Sequence, residues 1–256
     1  MKFKNQWAIV LGGSSGLGLG SAKKLASHGM NLCLVHRDRK ARLPQFLAEV
    51  EAMRAHGVDV LTFNQDALKA ETREEILTAL TGKNIKLLLH SIAKGNLKPM
   101  VPKKGEALTR EDLNITLDAM GLSLYDWVRS LIDRNLFTND ARIIAFTSEG
   151  NTKAWPSYAA VSAAKAVLEA LIRNMALEFA PFGITANCIQ AGATRTPSFE
   201  AIPGSDQIAS AAERRNPFKR LTTPQDVADV VYLMCLPEAK WINGDVIKVD
   251  GGEHLS

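Results

Sequence analysis

The stretch Trp7-Ala8-Ile9-Val10-Leu11-Gly12-Gly13-Ser14-Ser15-Gly16-Leu17-Gly18-Leu19-Gly20 decides the fold. Its first five residues form an apolar run of strand length, and the glycines that follow make a turn. Ala22, Leu25 and Ala26 then recur at helical spacing, with Gly29 placed to stop the helix. Strand, glycine turn and helix in this order build a phosphate site. The glycines let the backbone approach a pyrophosphate, and the helix N-terminus offers unused N–H groups and a partial positive charge. The spacing is Gly12-x-x-x-Gly16-x-Gly18, not Gly-x-Gly-x-x-Gly. A flexible loop is the alternative, but a loop does not require the flanking strand and helix.

Downstream the same alternation continues. Asn31 to Val35 reads as a second strand, ending in His36-Arg37-Asp38. An acid at that strand end would bond the adenosine ribose of NAD, whereas an Arg accommodates the extra phosphate of NADP. Arg37, with Arg39, Lys40 or Arg42 in support, therefore points to NADP(H); a solvated basic start to a loop is the competing reading. Val58 to Phe63 is a third strand with Asp66 and Ala67 beyond it. Ile85 to Leu89 is a purely apolar, buried strand that delivers His90-Ser91-Ile92-Ala93. His90 reads as a structural hydrogen-bonding residue. Leu97 to Thr109 is a surface excursion, and one long helix is expected from about Glu111 to Leu136. Arg142 to Phe146 and Ile184 to Ile189 are further strands, the second followed by Ala191-Gly192-Ala193-Thr194-Arg195-Thr196. Residues 197–217 form a candidate substrate lid. Thr223-Pro224-Gln225-Asp226 opens another helix, and Gly244 to Val249 closes the set as a last strand. The expected fold is a doubly wound, mostly parallel sheet in a three-layer α/β/α arrangement, Rossmann-like, as a single domain over residues 1–256.

Composition narrows the class further. A hydrophobic content of 46% and a charged content of 23% are those of a soluble globular protein. The net charge of +4 comes without a basic run, so nucleic acid is not an expected partner. Cys33, Cys188 and Cys235 lack metal-ligand spacing and read as buried reduced thiols, which points to the cytoplasm. No apolar run is long enough to span a bilayer, and Met1 to Gln6 is too short and polar to open a signal peptide.

The chemistry is expected in Ser148-Glu149-Gly150-Asn151-Thr152-Lys153-Ala154-Trp155-Pro156-Ser157-Tyr158-Ala159-Ala160-Val161-Ser162-Ala163-Ala164-Lys165. From Tyr158 onward the composition is helical, with Pro156 and Ser157 supplying the helix start. Positions seven apart lie nearly on one helix face, so Tyr158 and Lys165 should point the same way. A phenol beside an ammonium is expected to have a lowered pKa and to donate to a substrate oxygen or a forming enolate. Taken alone, such a pair is more often one half-buried and one solvated side chain.

Over its whole length the sequence resembles the short-chain dehydrogenase/reductase family. The resemblance rests on Gly12-x-x-x-Gly16-x-Gly18, Asp66 after the third strand, Ser148 after the fifth, and the closing Asp250-Gly251-Gly252. Most members carry Tyr-x-x-x-Lys, but here that place is Ser162 and the lysine is Lys165. Six residues between Tyr and Lys, together with His90-Ser91-Ile92, are similar to the enoyl-acyl-carrier-protein reductases of bacterial fatty acid synthesis. The resemblance implies that Gly12, Ser14, Ser15, Gly16, Leu17 and Gly18 hold the pyrophosphate. It places Asp66 and Ala67 at the adenine, Ile92 and Ala93 at the adenosine ribose, and Ser91 among the cofactor-binding residues. Lys165 would bind the nicotinamide ribose, Thr194 and Thr196 would secure the carboxamide and phosphate, and Ala191 and Gly192 would also be cofactor-binding. Tyr158, with Ser148 and Lys165, would be catalytic, stabilising the enolate formed when hydride reaches a trans-2-enoyl thioester.

There are departures. Well-known enoyl reductases have a second tyrosine where this chain has Ser148; a smaller NADPH-using branch has Ser there and is the better match. That branch often carries an Arg where this chain has Ser15. The helix Asn of many family members is replaced by Thr116 or Asp118. NADPH is therefore expected in preference to NADH. Two other functions stay open: a carbonyl reductase using Ser148, Tyr158 and Lys165, and a non-catalytic nucleotide-binding protein. An acyl carrier protein partner would need a basic rim, for which Lys98, Lys103 and Lys104, or Arg214, Arg215, Lys219 and Arg220, are available; solvated surface charge is the plain alternative. Family resemblance implies a homotetramer and no metal.

Overall fold

Seven strands pair in the order β3-β2-β1-β4-β5-β6-β7, all parallel. The computed structural model describes residues 2–102 and 104–255. In chain order the elements are β1 (Gln6–Leu11), α1 (Gly16–Ser27), β2 (Asn31–His36), α2 (Leu43–Arg54), β3 (Val60–Asn64), α3 (Ala70–Ala79), β4 (Asn84–His90), α4 (Arg110–Leu117), α5 (Ser123–Asp133) and β5 (Phe137–Thr147). They continue with α6 (Ala159–Glu178), β6 (Thr185–Ala191), α7 (Pro197–Glu200), α8 (Ser205–Arg215), α9 (Pro224–Cys235) and β7 (Val246–Val249). The chain reverses direction across the sheet between β1 and β4, which opens a crevice beyond the strand C-terminal ends.

Alternate strand residues feed two cores, one on each face of the sheet. Ile9, Leu11, Cys33 and Ile143 pack with Trp127 of α5 and Leu168 and Ile172 of α6. Ala8, Val10, Leu34 and Ile144 pack with Leu25 of α1, Phe46 of α2 and Val231 of α9. Burial on both faces is why these strands read as unbroken apolar runs. Cys33, Cys188 and Cys235 are free and buried, as expected. Among the described residues there is no group of three or more His, Cys, Asp or Glu side chains that could hold a metal, and no helix long and apolar enough to cross a membrane.

Two expectations need correction. The single long helix after the excursion is broken: a π-helical turn, Asp118–Leu122, separates α4 from α5. The extra residue in that turn brings Met120 to the crevice and lets Gly121 lie against Ala164 and Val167 of α6. Nor do Pro156 and Ser157 start α6. Tyr158 itself is the residue before its first turn, without a side-chain cap, and Ser157 takes a left-handed φ of 63°. The helix is held by packing rather than by capping. By contrast, Thr223 and Asp226 form a reciprocal capping box at α9, as the sequence Thr-Pro-Gln-Asp implies.

Candidate functional site

Two adjoining clefts open at the C-terminal ends of the strands and share Thr147, Ser148, Tyr158 and Thr196. The first runs along the glycine turn. Gly12 has φ 86°, and a Cβ there would sit 2.5 Å from the Ser91 carbonyl oxygen. A Cβ on Gly18 would overlap the Gly12 carbonyl itself. Gly18 therefore packs turn against helix and does not line the cleft. At the start of α1, Ser15 is exposed, its side chain caps nothing, and no acid occupies the first turn. The first N–H groups of α1 are left to face the cleft, as a bound pyrophosphate requires.

Most of the predicted cofactor residues meet in this first cleft. Gly12, Ser14, Ser15, Gly16 and Leu17 form one wall; Arg37, Asp66 and Ala67 form the far end. Ser91, Ile92, Ala93, Lys165 and Thr196 complete it. Ala191, Gly192 and Thr194 belong instead to the second cleft. Thr194 is buried and donates its only hydroxyl proton to the Gly192 carbonyl, so it presents lone pairs alone. The Thr196 hydroxyl accepts from Phe199 N–H and caps α7. At the far end Arg37 donates to Asp66 at 2.8 Å, and Lys94 stands 4.0 Å from the same carboxylate oxygen.

The reacting groups lie where the clefts join. The Tyr158 hydroxyl donates to Ser148 Oγ at 3.2 Å, and Gly150 N–H donates to the same oxygen at 3.1 Å. Burial raises the Tyr158 pKa, and the bond to Ser148 opposes the rise. The lowered pKa expected from a nearby ammonium is thus corrected. Lys165 is buried and directs Nζ to the Phe146 carbonyl at 2.6 Å. Burial pushes the Lys165 pKa down to about 8, with the Glu169 carboxylate opposing. Lys165 and Tyr158 do line one cleft, as their spacing implies.

His90 is a structural residue, as read from sequence. It is fully buried, and burial, followed by the charge of Lys165, lowers its pKa to about 3. Ser123 gives its one hydroxyl proton to the Ala119 carbonyl, so His90 Nε2 must be the donor in their 2.8 Å bond. Thr116 is likewise structural: it donates to the Asp112 carbonyl and accepts from Asn96 N–H, fixing the excursion to α4.

The second cleft is walled by Leu97, Met120, Trp155, Val161, Phe199 and Ile202, with Glu149 and Glu253 at one side. Arg215 at the end of α8 pairs with both carboxylates, at 3.5 and 2.9 Å, and Glu253 also accepts from Ala193 N–H. This ties α8 to the loops leaving β5 and β6. None of these contacts was foreseeable, because their partners are 38 to 66 residues apart in the chain.

Gly150 is a further residue that sequence reading passed over. A Cβ there would lie 2.7 Å from Tyr158 Cδ1 and closer still to Cε1. Its φ is not positive, so alanine would meet no backbone strain there, only the ring. Gly150→Ala should displace the Tyr158 ring and cut kcat about 10- to 100-fold, with cofactor affinity unchanged. Steady-state kinetics and a cofactor titration check this; an unchanged kcat would show that the ring has room to yield.

The model of the family described as Enoyl-(Acyl carrier protein) reductase matches residues 12–254. A tropinone reductase homolog of Arabidopsis thaliana is 26% identical, with 96% of this chain and 89% of that protein covered. The enoyl-[acyl-carrier-protein] reductase [NADPH] FabI of Staphylococcus aureus is 26% identical, with 99% and 98% covered. The crystal structure of enoyl-[acyl-carrier-protein] reductase (NADH) from Aquifex aeolicus superposes with a TM-score of 0.84 at 26% identity, covering 100% of this chain and 99% of that one.

Proposed function

Because the chain belongs to the short-chain dehydrogenase/reductase family, and so is an oxidoreductase using a nicotinamide dinucleotide, we propose that it reduces the C=C bond of a trans-2-enoyl thioester with NADPH. The observation that carries the reading is the lysine seven residues after Tyr158, buried in the dinucleotide cleft, with Tyr158 at the junction with an apolar cleft.

A bound reduced nicotinamide supplies the hydride for the β-carbon. Tyr158, whose raised pKa keeps it protonated at neutral pH, donates a hydrogen bond to the thioester oxygen as enolate charge develops there. Protonation at the α-carbon completes the reduction. Lys165, an ammonium below about pH 8, would hold the ribose hydroxyls of the bound cofactor. Leu97, Met120 and Phe199 wall off water along the acyl chain. Arg37 is the residue for the extra phosphate of NADPH; its guanidinium has enough donors to keep Asp66 and take a phosphate as well. Residues 197–217, which carry α7 and α8, serve as the lid.

A carbonyl reductase is the second reading, favoured by Ser148, whose hydroxyl meets that of Tyr158 in the manner needed to grip a ketone oxygen. The test is purified protein with NADPH, offered a short trans-2-enoyl thioester and, separately, a panel of cyclic ketones. Cofactor oxidation with the thioester is expected; oxidation with a ketone alone would establish the second reading.

An acyl carrier protein is the proposed donor of the thioester. The basic rim is weaker than its composition implies, since Lys98 pairs with Glu106 and Asp112, and Arg220 with Asp226. Lys103 lies outside the described residues. A cytoplasmic homotetramer is the proposed assembly, supported by apolar side chains left exposed at Tyr125 on α5, Leu177 on α6 and Trp241 before β7.

A further inference from the structure

One carboxylate behind the site has no part in the scheme above. Glu169 lies on α6, one turn beyond Lys165. Its Oε1 accepts from Thr147 Oγ1 at 2.5 Å and from Asn151 Nδ2 at 2.5 Å. Thr147 ends β5 and Asn151 ends the short turn that follows. Between them lie Ser148, which accepts from Tyr158, and Gly150, against which the Tyr158 ring rests. One oxygen atom on the helix thus clasps both ends of the turn that sets the phenol.

We propose that Glu169 is a positioning residue that staples the Ser148 turn to the helix carrying Tyr158 and Lys165. The inference rests on the reading of those side chains as the reacting groups. Two effects follow from one carboxylate. The two hydrogen bonds hold Ser148 and Gly150 against Tyr158. The negative charge favours the ammonium form of Lys165, which burial disfavours.

The groups facing Lys165 make Glu169 its charged counterpart. His90 on β4 stays neutral, its pKa lowered to about 3 by burial and by Lys165. Cys188 on β6 also stays neutral at working pH, its thiol pushed up to about 12 by burial and by Glu169. Tyr158 on the same helix is protonated, and Arg173, two turns on from Lys165, acts on Cys188. Glu169 is therefore the anion in the set.

Glutamine keeps an oxygen to accept both bonds but removes the charge; alanine removes both. The sign of the pH effect is fixed. Lys165 is an ammonium below its pKa, and loss of the Glu169 charge lowers that pKa, so the ammonium is lost at a lower pH. NADPH affinity is measured across pH by cofactor fluorescence for wild type, Glu169→Gln and Glu169→Ala, with turnover on whichever substrate the wild type reduces. Glu169→Gln is expected to match wild-type affinity near about pH 6 and to bind at least about threefold more weakly near about pH 8. Its kcat near about pH 6 should stay within about threefold, whereas Glu169→Ala should lose about tenfold or more at every pH. Parallel affinity profiles for Glu169→Gln and wild type would overturn the charge role, and a wild-type kcat in Glu169→Ala would overturn the staple. Should the alanine variant not fold, the glutamine profile alone decides. A wild type inert toward enoyl thioesters would defeat the proposed function, while the affinity profiles would still decide the role of Glu169.

Discussion

Tyr158→Phe should lower kcat about 100- to 1000-fold while leaving NADPH affinity within about threefold. The phenol stands at the junction of the two clefts, and its ring is fixed from three sides. Trp155 packs 5.3 Å away at 59°, Gly150 lies under the ring edge, and Ser148 takes the hydroxyl. Phenylalanine fills the same space, so the loss reads the hydroxyl alone. Retained turnover would mean that the oxyanion finds another donor and that Tyr158 is a wall residue. Ser148→Ala beside it separates the two substrate classes. If Ser148 only orients Tyr158, as in the enoyl reading, the loss should stay below about tenfold; if Ser148 itself holds a ketone oxygen, it should approach about 100-fold.

Arg142→Ala should destabilise the protein by about 3–5 kcal/mol, the cost of two helix-end carbonyls left without their donor and of the packing lost around a buried side chain. Arg142 is fully buried in the middle of β5. It donates to the Met234 and Leu236 carbonyls at 2.9 and 3.3 Å, at the end of α9, and to Asp140 at 2.8 Å. Lys86, also buried, holds the other oxygen of Asp140 at 2.6 Å. Removal of the guanidinium leaves two helix-end carbonyls without their donor and a cavity of arginine size. For a chain of this length, a loss of about 4 kcal/mol corresponds to a Tm lower by about 10 °C. A scanning calorimetry shift below about 2 °C would show that water or Lys86 replaces the missing donor.

This cluster also explains an irregularity in the sheet. Between Ile85 and Leu87 on β4, the partner strand β5 advances from Phe137 to Arg142. The extra residues of β5 bulge outward and bring Asp140 alongside Lys86 and Arg142. From sequence, the strand could be traced only from Arg142 onward, because Asn139 and Asp140 look like loop residues. Their place in the strand depends on charges supplied by β4 and on the end of α9.

The parallel strands, the glycine turn and the Tyr158 to Lys165 spacing were legible without coordinates, because each is encoded by residues close in the chain. An apolar run bounded by glycine, a helical period and a seven-residue interval are local patterns, and local patterns survive reading one residue after another. What tertiary structure alone decided depends on residues that meet across the fold. The Tyr158 pKa follows burial rather than the nearby ammonium, because Lys165 turns its Nζ to the Phe146 carbonyl on β5. The π-helical turn at Asp118–Leu122 arises where α4 and α5 must fit against α6. Arg37 looked free to meet a phosphate and is found on Asp66, 29 residues away. Glu169 reads as one more helical glutamate until Thr147 and Asn151 are brought to it from β5 and its turn. Sequence periodicity carries backbone direction and the buried face of each element; the identity of a side chain's partner is set only when separate elements pack.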